Sequence, residues 1–191
     1  MTEKFKNKYR ITSSRLQSWD YGWSGAYFIT ICTQCKKHYF GEIINNEMQL
    51  THVGVLADIF MLEVKHHAKN TKLGGYVVMP NHVHAVLIID DTLNRRDKAC
   101  LVSTTITTTE KSIGQQRFQN QGKNTISSII GSYKSAVTKH AHRLGYNFAW
   151  QSRFYDHIIR NGESFNQIND YITTNPQNWK KDKFYSERGD M

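Results

Sequence analysis

His82 and His84 stand two residues apart in the run MPNHVHAVLIID, positions 79 to 90. The flanking residues are β-branched and aliphatic, and Met79, Pro80 and Asn81 interrupt them, which reads as two strands joined by a tight turn. Side chains of a strand alternate faces, so imidazoles at i and i+2 point the same way and can reach one metal ion. The spacing alone is a weak signal: nine histidines in 191 residues give about 0.4 His-x-His pairs by chance. His140 and His142 repeat it inside a helical segment, where i and i+2 diverge round the axis and cannot chelate one ion. A ligand pair and two incidental histidines therefore stay open on spacing alone, and the remaining residues must decide.

Tyr171 and Asn175 lie four residues apart in ESFNQINDYITTNP, so on a helix they share a face one turn apart. That face is offset from the apolar stripe of Phe165, Ile168 and Ile172. A phenol and an amide oxygen beside His82 and His84 would make a working set: two imidazoles and a carboxamide around a divalent ion, with tyrosine as nucleophile. Free tyrosine has a pKa of about 10 and attacks phosphodiesters poorly, so the phosphate charge must be neutralised and the leaving oxygen stabilised. Three protein ligands leave positions for a phosphate and water, as phosphoryl transfer with Mg²⁺ or Mn²⁺ requires.

The elements that must position these groups follow from the periodicity. AYFITICTQ (26–34) alternates as a strand, Tyr27, Ile29 and Ile31 on one face and Phe28, Thr30 and Cys32 on the other. HYFGEII (38–44) and NNEMQL follow after a basic turn, giving an expected β-meander. Val53, Leu56, Ala57, Phe60, Met61 and Val64 fall at helical spacing, so 52–69 is expected to be a helix capped by Thr51. A second helix is expected over 126–145, stopped by Gly145, its outer face carrying Lys134, Lys139, His140 and Arg143 as a basic ridge suited to a phosphate backbone. FAWQSRFYDHIIR (148–160) reads as extended, and the last helix, 163–176, ends at Pro176.

One domain is expected, with a basic aromatic arm over 1–25, a polar basic insert over 92–124 and a basic tail over 177–191 that trails on the surface. The formal charge of +9 points to a polyanionic partner, nucleic acid rather than a membrane, since no apolar run approaches a bilayer-spanning length. Cys32, Cys35 and Cys100 are too few and too scattered for a disulfide framework, and nothing at the start of the sequence resembles a secretion signal, so a cytoplasmic protein is expected.

MPNHVHAV resembles the His-hydrophobic-His motif of the single-tyrosine HUH transposases, and WQSRFYDHIIR followed by DYITTNP resembles the later motif of their REP-associated tyrosine transposase branch. The likeness runs from Tyr27 to Trp179, apart from the insert. It implies an α+β, ferredoxin-like fold, an antiparallel sheet with helices packed on one face. It implies that His82 and His84 are metal ligands, that Asn175 takes the third ligand position where insertion-sequence relatives often have Gln, and that Tyr171 becomes joined to a DNA 5′-phosphate. The substrate it implies is single-stranded DNA with a foldback hairpin, cut and rejoined with Mg²⁺ or Mn²⁺ as cofactor. Trp150, Gln151, Arg153, His157 and Arg160 match the same block. Trp150, Arg153 and Arg160 join Lys134, Lys139 and Arg143 as candidate DNA-binding residues. His157 is a candidate accessory residue, read first as a core histidine. Tyr155 is the alternative nucleophile, but it lacks a metal-binding amide at helical spacing.

Two other readings compete. A domesticated hairpin- or single-strand-binding protein would keep the fold and the basic surface without strand transfer, and a metal-dependent nuclease would activate water and leave Tyr171 structural. Insertion-sequence members of the family are homodimers that exchange the tyrosine helix, whereas members of the branch that the motifs most resemble can act as monomers. The short link at Gly162 allows either, with a slight lean to the dimer.

Overall fold

The structure, a computed structural model, describes residues 21–90 and 125–187. The expected insert and most of the expected arm lie outside the described residues. The elements run β1 (Gly25–Cys32), β2 (Gly41–Ile44), β3 (Glu47–Leu50), α1 (His52–His67), β4 (Thr71–Met79), β5 (His82–Ile89), α2 (Ile126–Arg143), β6 (Tyr155–Ile159) and α3 (Gly162–Thr174). Four strands pair in the order β4-β5-β1-β6, every neighbour antiparallel. A β-α-β-β-α-β path, with the strand after the first helix at one edge and the last strand at the other, is the ferredoxin-like arrangement expected above.

The alternation read in β1 and β5 decides what each sheet face buries. Tyr27, Ile29 and Ile31 of β1, with Val83, Ala85, Leu87 and Ile89 of β5, turn to α1 and α2 and form the main core with Val53, Ala57, Met61, Ile130 and Val137. Each such aliphatic side chain contributes about 1.5–3 kcal/mol when fully buried. Tyr133 is buried there too, its hydroxyl donating to the Ala57 carbonyl at 3.0 Å, so its polar atom is satisfied. The helix ends follow their local chemistry. Thr51 Oγ1 accepts from the Gly54 N–H, Thr125 and Ser128 form a reciprocal capping box, and Gly145 leaves α2 at φ +82°, a conformation glycine adopts without strain.

Three expectations need correction. The sheet carries helices on both faces, not one: α1 and α2 cover the first, while Ile172, Phe165 and Ile168 of α3 pack against Phe28, Val77, Val86 and Ile88 on the other. The alternation makes this possible, because Phe28, Val86 and Ile88 give the second face its own apolar row. The meander is also different. β2 and β3 form a separate two-stranded hairpin through Asn45 and Asn46 at φ +53° and +65°, the turn type that two asparagines suit, while β1 pairs instead with β5 and β6. Finally, residues 177–187 do not trail away. They wind through a short 3-10 turn, Trp179–Lys181, and return over the start of β5.

Close approach fixes where α3 lies. β4 carries a bulge between Leu73 and Tyr76, and a methyl group at Gly75 would run into the Asn169 side chain of α3. The missing side chain at Gly75 thus lets the helix seat on β4 with its next residues aimed at the histidines.

Candidate metal centre and nucleophile

The tight turn at Pro80 and Asn81 delivers His82 and His84 onto the face shared with α3. Both are buried, 0% and 1% exposed, with ring centroids 4.4 Å apart. Burial holds both imidazoles below the ordinary histidine range. His82 lies well below it, with its neighbour His84 adding to the effect, and His84 is lowered to about 4. Both rings are therefore neutral at pH 7, the form that ligates metals.

Their tautomers follow from their partners. Asn81 Nδ2 donates to the Phe184 carbonyl at 2.9 Å, which can only accept. The amide is thereby oriented with Oδ1 toward His82 Nδ1, 2.8 Å away, so Nδ1 must carry the proton. That leaves His82 Nε2 a bare lone pair, buried and without a hydrogen-bond partner. His84 Nδ1 lies 2.9 Å from Thr30 Oγ1 and its Nε2 lies 3.2 Å from the Tyr171 hydroxyl.

α3 supplies the other half. Its apolar stripe faces the sheet, and the offset face presents Tyr171 and, at the helix end, Asn175. Both reach one oxygen of Asp182: the Tyr171 hydroxyl donates to Oδ2 at 2.7 Å and Asn175 Nδ2 donates to the same atom at 2.8 Å. Asn175 Oδ1 is then buried without a partner, a second lone-pair donor with nothing to bind. Phe28 supports the set from β1, stacked on His84 at 5.1 Å and edge-on to Tyr171 at 6.2 Å. Tyr171 and Asn175 thus both meet Asp182, which stands beside His82 and His84, within one chain.

The returning tail adds what sequence reading missed. Asp182 brings a carboxylate oxygen within 4.8 Å of ligand nitrogens of both His82 and His84. Burial by itself would raise its pKa, but hydrogen bonds from Asn175, the Phe184 N–H and Tyr171 outweigh that and hold it ionised, below the usual carboxylate value. The same carboxylate, after burial, pushes the Tyr171 phenol above its ordinary value. Phe184 lies over the pair, 4.8 Å from His82 and 5.8 Å from His84, and Trp179 is 5.9 Å from His82. One acidic residue among Lys180, Lys181 and Lys183 was the only sequence signal for Asp182, and Asn81 read merely as a turn residue.

A divalent ion fits this donor set. Ligand atoms of two neutral imidazoles and a carboxylate lie within 4.8 Å of one another, and two buried donor atoms, His82 Nε2 and Asn175 Oδ1, have no hydrogen-bond partner. Hard cations such as Mg²⁺ and Mn²⁺ favour the oxygen donors, and the imidazoles suit Mn²⁺.

The other predicted residues are spread more widely. Lys139, Arg143, Arg153 and Arg160 are exposed. Lys134 is turned inward, its ammonium on the Gln151 carbonyl and 5.9 Å from the Trp150 ring centroid. It therefore does not share a ridge with Lys139 and Arg143. Trp150 is a packing residue, its Nε1–H on the Lys134 carbonyl and its ring against Phe40, Tyr133 and Phe148. His157 is not a core histidine: it is exposed on β6 and lines the cleft beside Tyr171.

No family model matches the chain. An uncharacterized protein of Haemophilus influenzae is 33% identical over 174 residues, 91% of this chain and 92% of that protein. Among solved structures, a REP-associated tyrosine transposase bound to a REP hairpin superposes with a TM-score of 0.55 at 19% identity, covering 90% of this chain and 77% of that one. A candidate transposase of Deinococcus radiodurans superposes more loosely, with a TM-score of 0.40 at 12% identity, over 84% of this chain and 96% of its own.

Proposed function

The chain belongs to one family with the Haemophilus influenzae protein and has the fold of a tyrosine transposase, and from that premise we propose that it is a transposase that cleaves and rejoins single-stranded DNA through Tyr171. The observation that carries the reading is that the Tyr171 phenol reaches His84 Nε2 and Asp182 beside two buried donor atoms, His82 Nε2 and Asn175 Oδ1, that have no hydrogen-bond partner.

In this reading His82, His84 and Asn175 hold the ion, the first two through Nε2 and the last through Oδ1. Bound Mg²⁺ or Mn²⁺ supplies charge neutralisation at the phosphate and at the leaving oxygen. Asn81 keeps His82 in the ligating tautomer, as outer-shell partners do in metal sites. The Thr30 hydroxyl, able to donate or accept, partners His84 Nδ1 in either tautomer, so His84 exchanges its Nε2 contact with the phenol oxygen for the ion. Asp182 Oδ2 already accepts the Tyr171 proton's hydrogen bond and receives that proton as attack proceeds. The Tyr171 Oη–P bond forms, the P–O3′ bond breaks, and the 3′-oxygen leaves and takes a proton from solvent. The energy of the phosphodiester is kept in the phosphotyrosine, so a 3′-hydroxyl can reverse the step and rejoin DNA with no nucleotide cofactor. A hairpin-bearing single strand is the substrate class, drawn from the motif resemblance and from the positive charge of the chain. A cytoplasmic location goes with it.

The test is incubation of the protein with hairpin-bearing single-stranded oligonucleotides and Mn²⁺. A covalent protein–DNA adduct lost in Tyr171→Phe supports the proposal. Binding without cleavage would instead mark a domesticated binding protein.

A further inference from the structure

α3 packs most closely on β4 and β5, and its apolar side chains also join Ala26, Phe28 and Ile159 of β1 and β6. The face is left open at Tyr155 and His157 of β6, both exposed. There a cleft of about 500 Å³, lined by Phe28, His84, Tyr155, His157, Gln167 and Lys183 among others, ends at the Tyr171 phenol.

Register places its contents. Tyr155 of β6 pairs with Thr30 of β1, which pairs with His84 of β5, so the three lie in one row across the sheet with their side chains on one face. Two strand spacings, about 10 Å, separate Tyr155 from His84. Tyr155 is 45% exposed, and Lys183 Nζ stands 5.3 Å from its ring centroid. A second aromatic, Phe28, forms the inner wall, and the exposed amide of Gln167 stands on the α3 side. An exposed tyrosine on an edge strand is ordinary by itself. This one stands in a concavity leading to the reactive hydroxyl, with a cation over it and the Gln167 amide at its rim. Phe184 and Trp179 cover the imidazoles from the tail side, and α3 closes the β4 side. The open cleft is the approach left to a phosphate.

We propose that this cleft binds one unpaired nucleotide flanking the scissile phosphate, its base stacked on Tyr155, its backbone phosphate held by Lys183 and its base edge in reach of the Gln167 amide. The proposal rests on the strand-transfer reading above and deepens it, because it assigns Tyr155 as a substrate-contacting residue and not as a nucleophile. An aromatic platform with an adjacent cation is how unpaired bases are held, and loss of such a platform weakens binding about 5- to 150-fold per base. A base pair cannot present a free face there, so the cleft selects single strands.

The experiment uses the full chain, Mn²⁺ and synthetic mixed-sequence hairpin oligonucleotides, each with 2-aminopurine at one unpaired position beside the hairpin foot. Fluorescence on binding and covalent adduct formation are recorded in the same samples. The expected result is strong quenching at one position, lost in Tyr155→Ala and kept in Tyr155→Trp. Adduct formation should slow at least 5-fold in Tyr155→Ala, with Mn²⁺ affinity unchanged. Equal quenching in wild type and Tyr155→Ala, or none at any position, overturns the proposal whatever the adduct does. Quenching that depends on Tyr155 without any adduct upholds the nucleotide site and overturns the strand-transfer reading.

Discussion

Asn81 accepts the Nδ1 proton of His82 at 2.8 Å, and this one bond decides that the other ring nitrogen of His82 is free to bind a cation. The Asn81 amide is itself oriented by the Phe184 carbonyl, so the turn, the imidazole and the tail form one chain of hydrogen bonds. Asn81→Ala would release the ring to either tautomer, and outer-shell losses of this kind lower metal affinity about 10- to 100-fold. Titration of Mn²⁺ by calorimetry checks it. Unchanged affinity would mean that the tautomer is set by something other than Asn81.

Asp182 is read as the acceptor of the Tyr171 proton, and Asn175 as the third ligand. Asp182→Asn keeps the shape but removes the charge. Its expected effect is a fall in adduct formation of about 10²- to 10⁴-fold, the usual range for a positioned base, with Mn²⁺ affinity within a few-fold of wild type. Asn175→Ala should do the reverse, weakening Mn²⁺ first. Absorbance titration gives a second check. Because burial is the larger cause of the raised Tyr171 pKa and Asp182 the next, Asp182→Asn should bring the phenol part of the way back toward its ordinary value. A loss of Mn²⁺ binding in Asp182→Asn would make the carboxylate a ligand.

Gly75→Ala places a methyl group against the side-chain oxygen of Asn169, and because that amide can partly swing aside the cost is about 1 kcal/mol, the low end for overpacking. Moving α3 by a fraction of an ångström also displaces Tyr171 from His84 and Asp182. Melting temperature and adduct rate should both fall, and Asn169→Ala in the same chain should recover both. Failure of that second substitution to recover them would place the cause elsewhere.

Acid sensitivity follows from the buried pair in the metal-free protein. The folded-state pKa of His84 is lowered to about 4 and that of His82 lies well below its usual value. As pH falls through about 6.5, the unfolded chain takes up protons that the folded chain refuses. The contribution to stability is present above that pH and is lost as pH falls toward 4, at up to about 1.4 kcal/mol per pH unit for each histidine. Denaturant unfolding with a chelator at pH 7.5, 6 and 5 measures the slope. His82→Leu with His84→Leu should flatten it.

Much of this site is legible in the residues. Strand alternation put His82 and His84 on one side, helical spacing put Tyr171 and Asn175 on another, and both pairings are seen. Periodicity could not say which sheet face α3 would take, because β1 and β5 are apolar on both sides and only the path from the edge strand β6 decides it. Asp182 and Phe184 were not legible, since the lysine-rich stretch after Pro176 has no period and its position depends on hydrogen bonds to Asn81 and Asn175. The cleft at Tyr155 was hidden for the same reason: Tyr155 acquires its surroundings from elements remote in sequence, Thr30 beside it in the sheet and Lys183 over its ring.

The central claim is a covalent bond between Tyr171 and DNA. After reaction with a hairpin-bearing single strand and Mn²⁺, nuclease trimming, proteolysis and peptide mass spectrometry should find a 5′-phosphonucleotide on the Tyr171 peptide, absent in Tyr171→Phe, with a free 3′-hydroxyl on the released strand. Cleaved DNA bearing a free 5′-phosphate, formed equally well by Tyr171→Phe, would contradict the account and make the protein a water-activating nuclease.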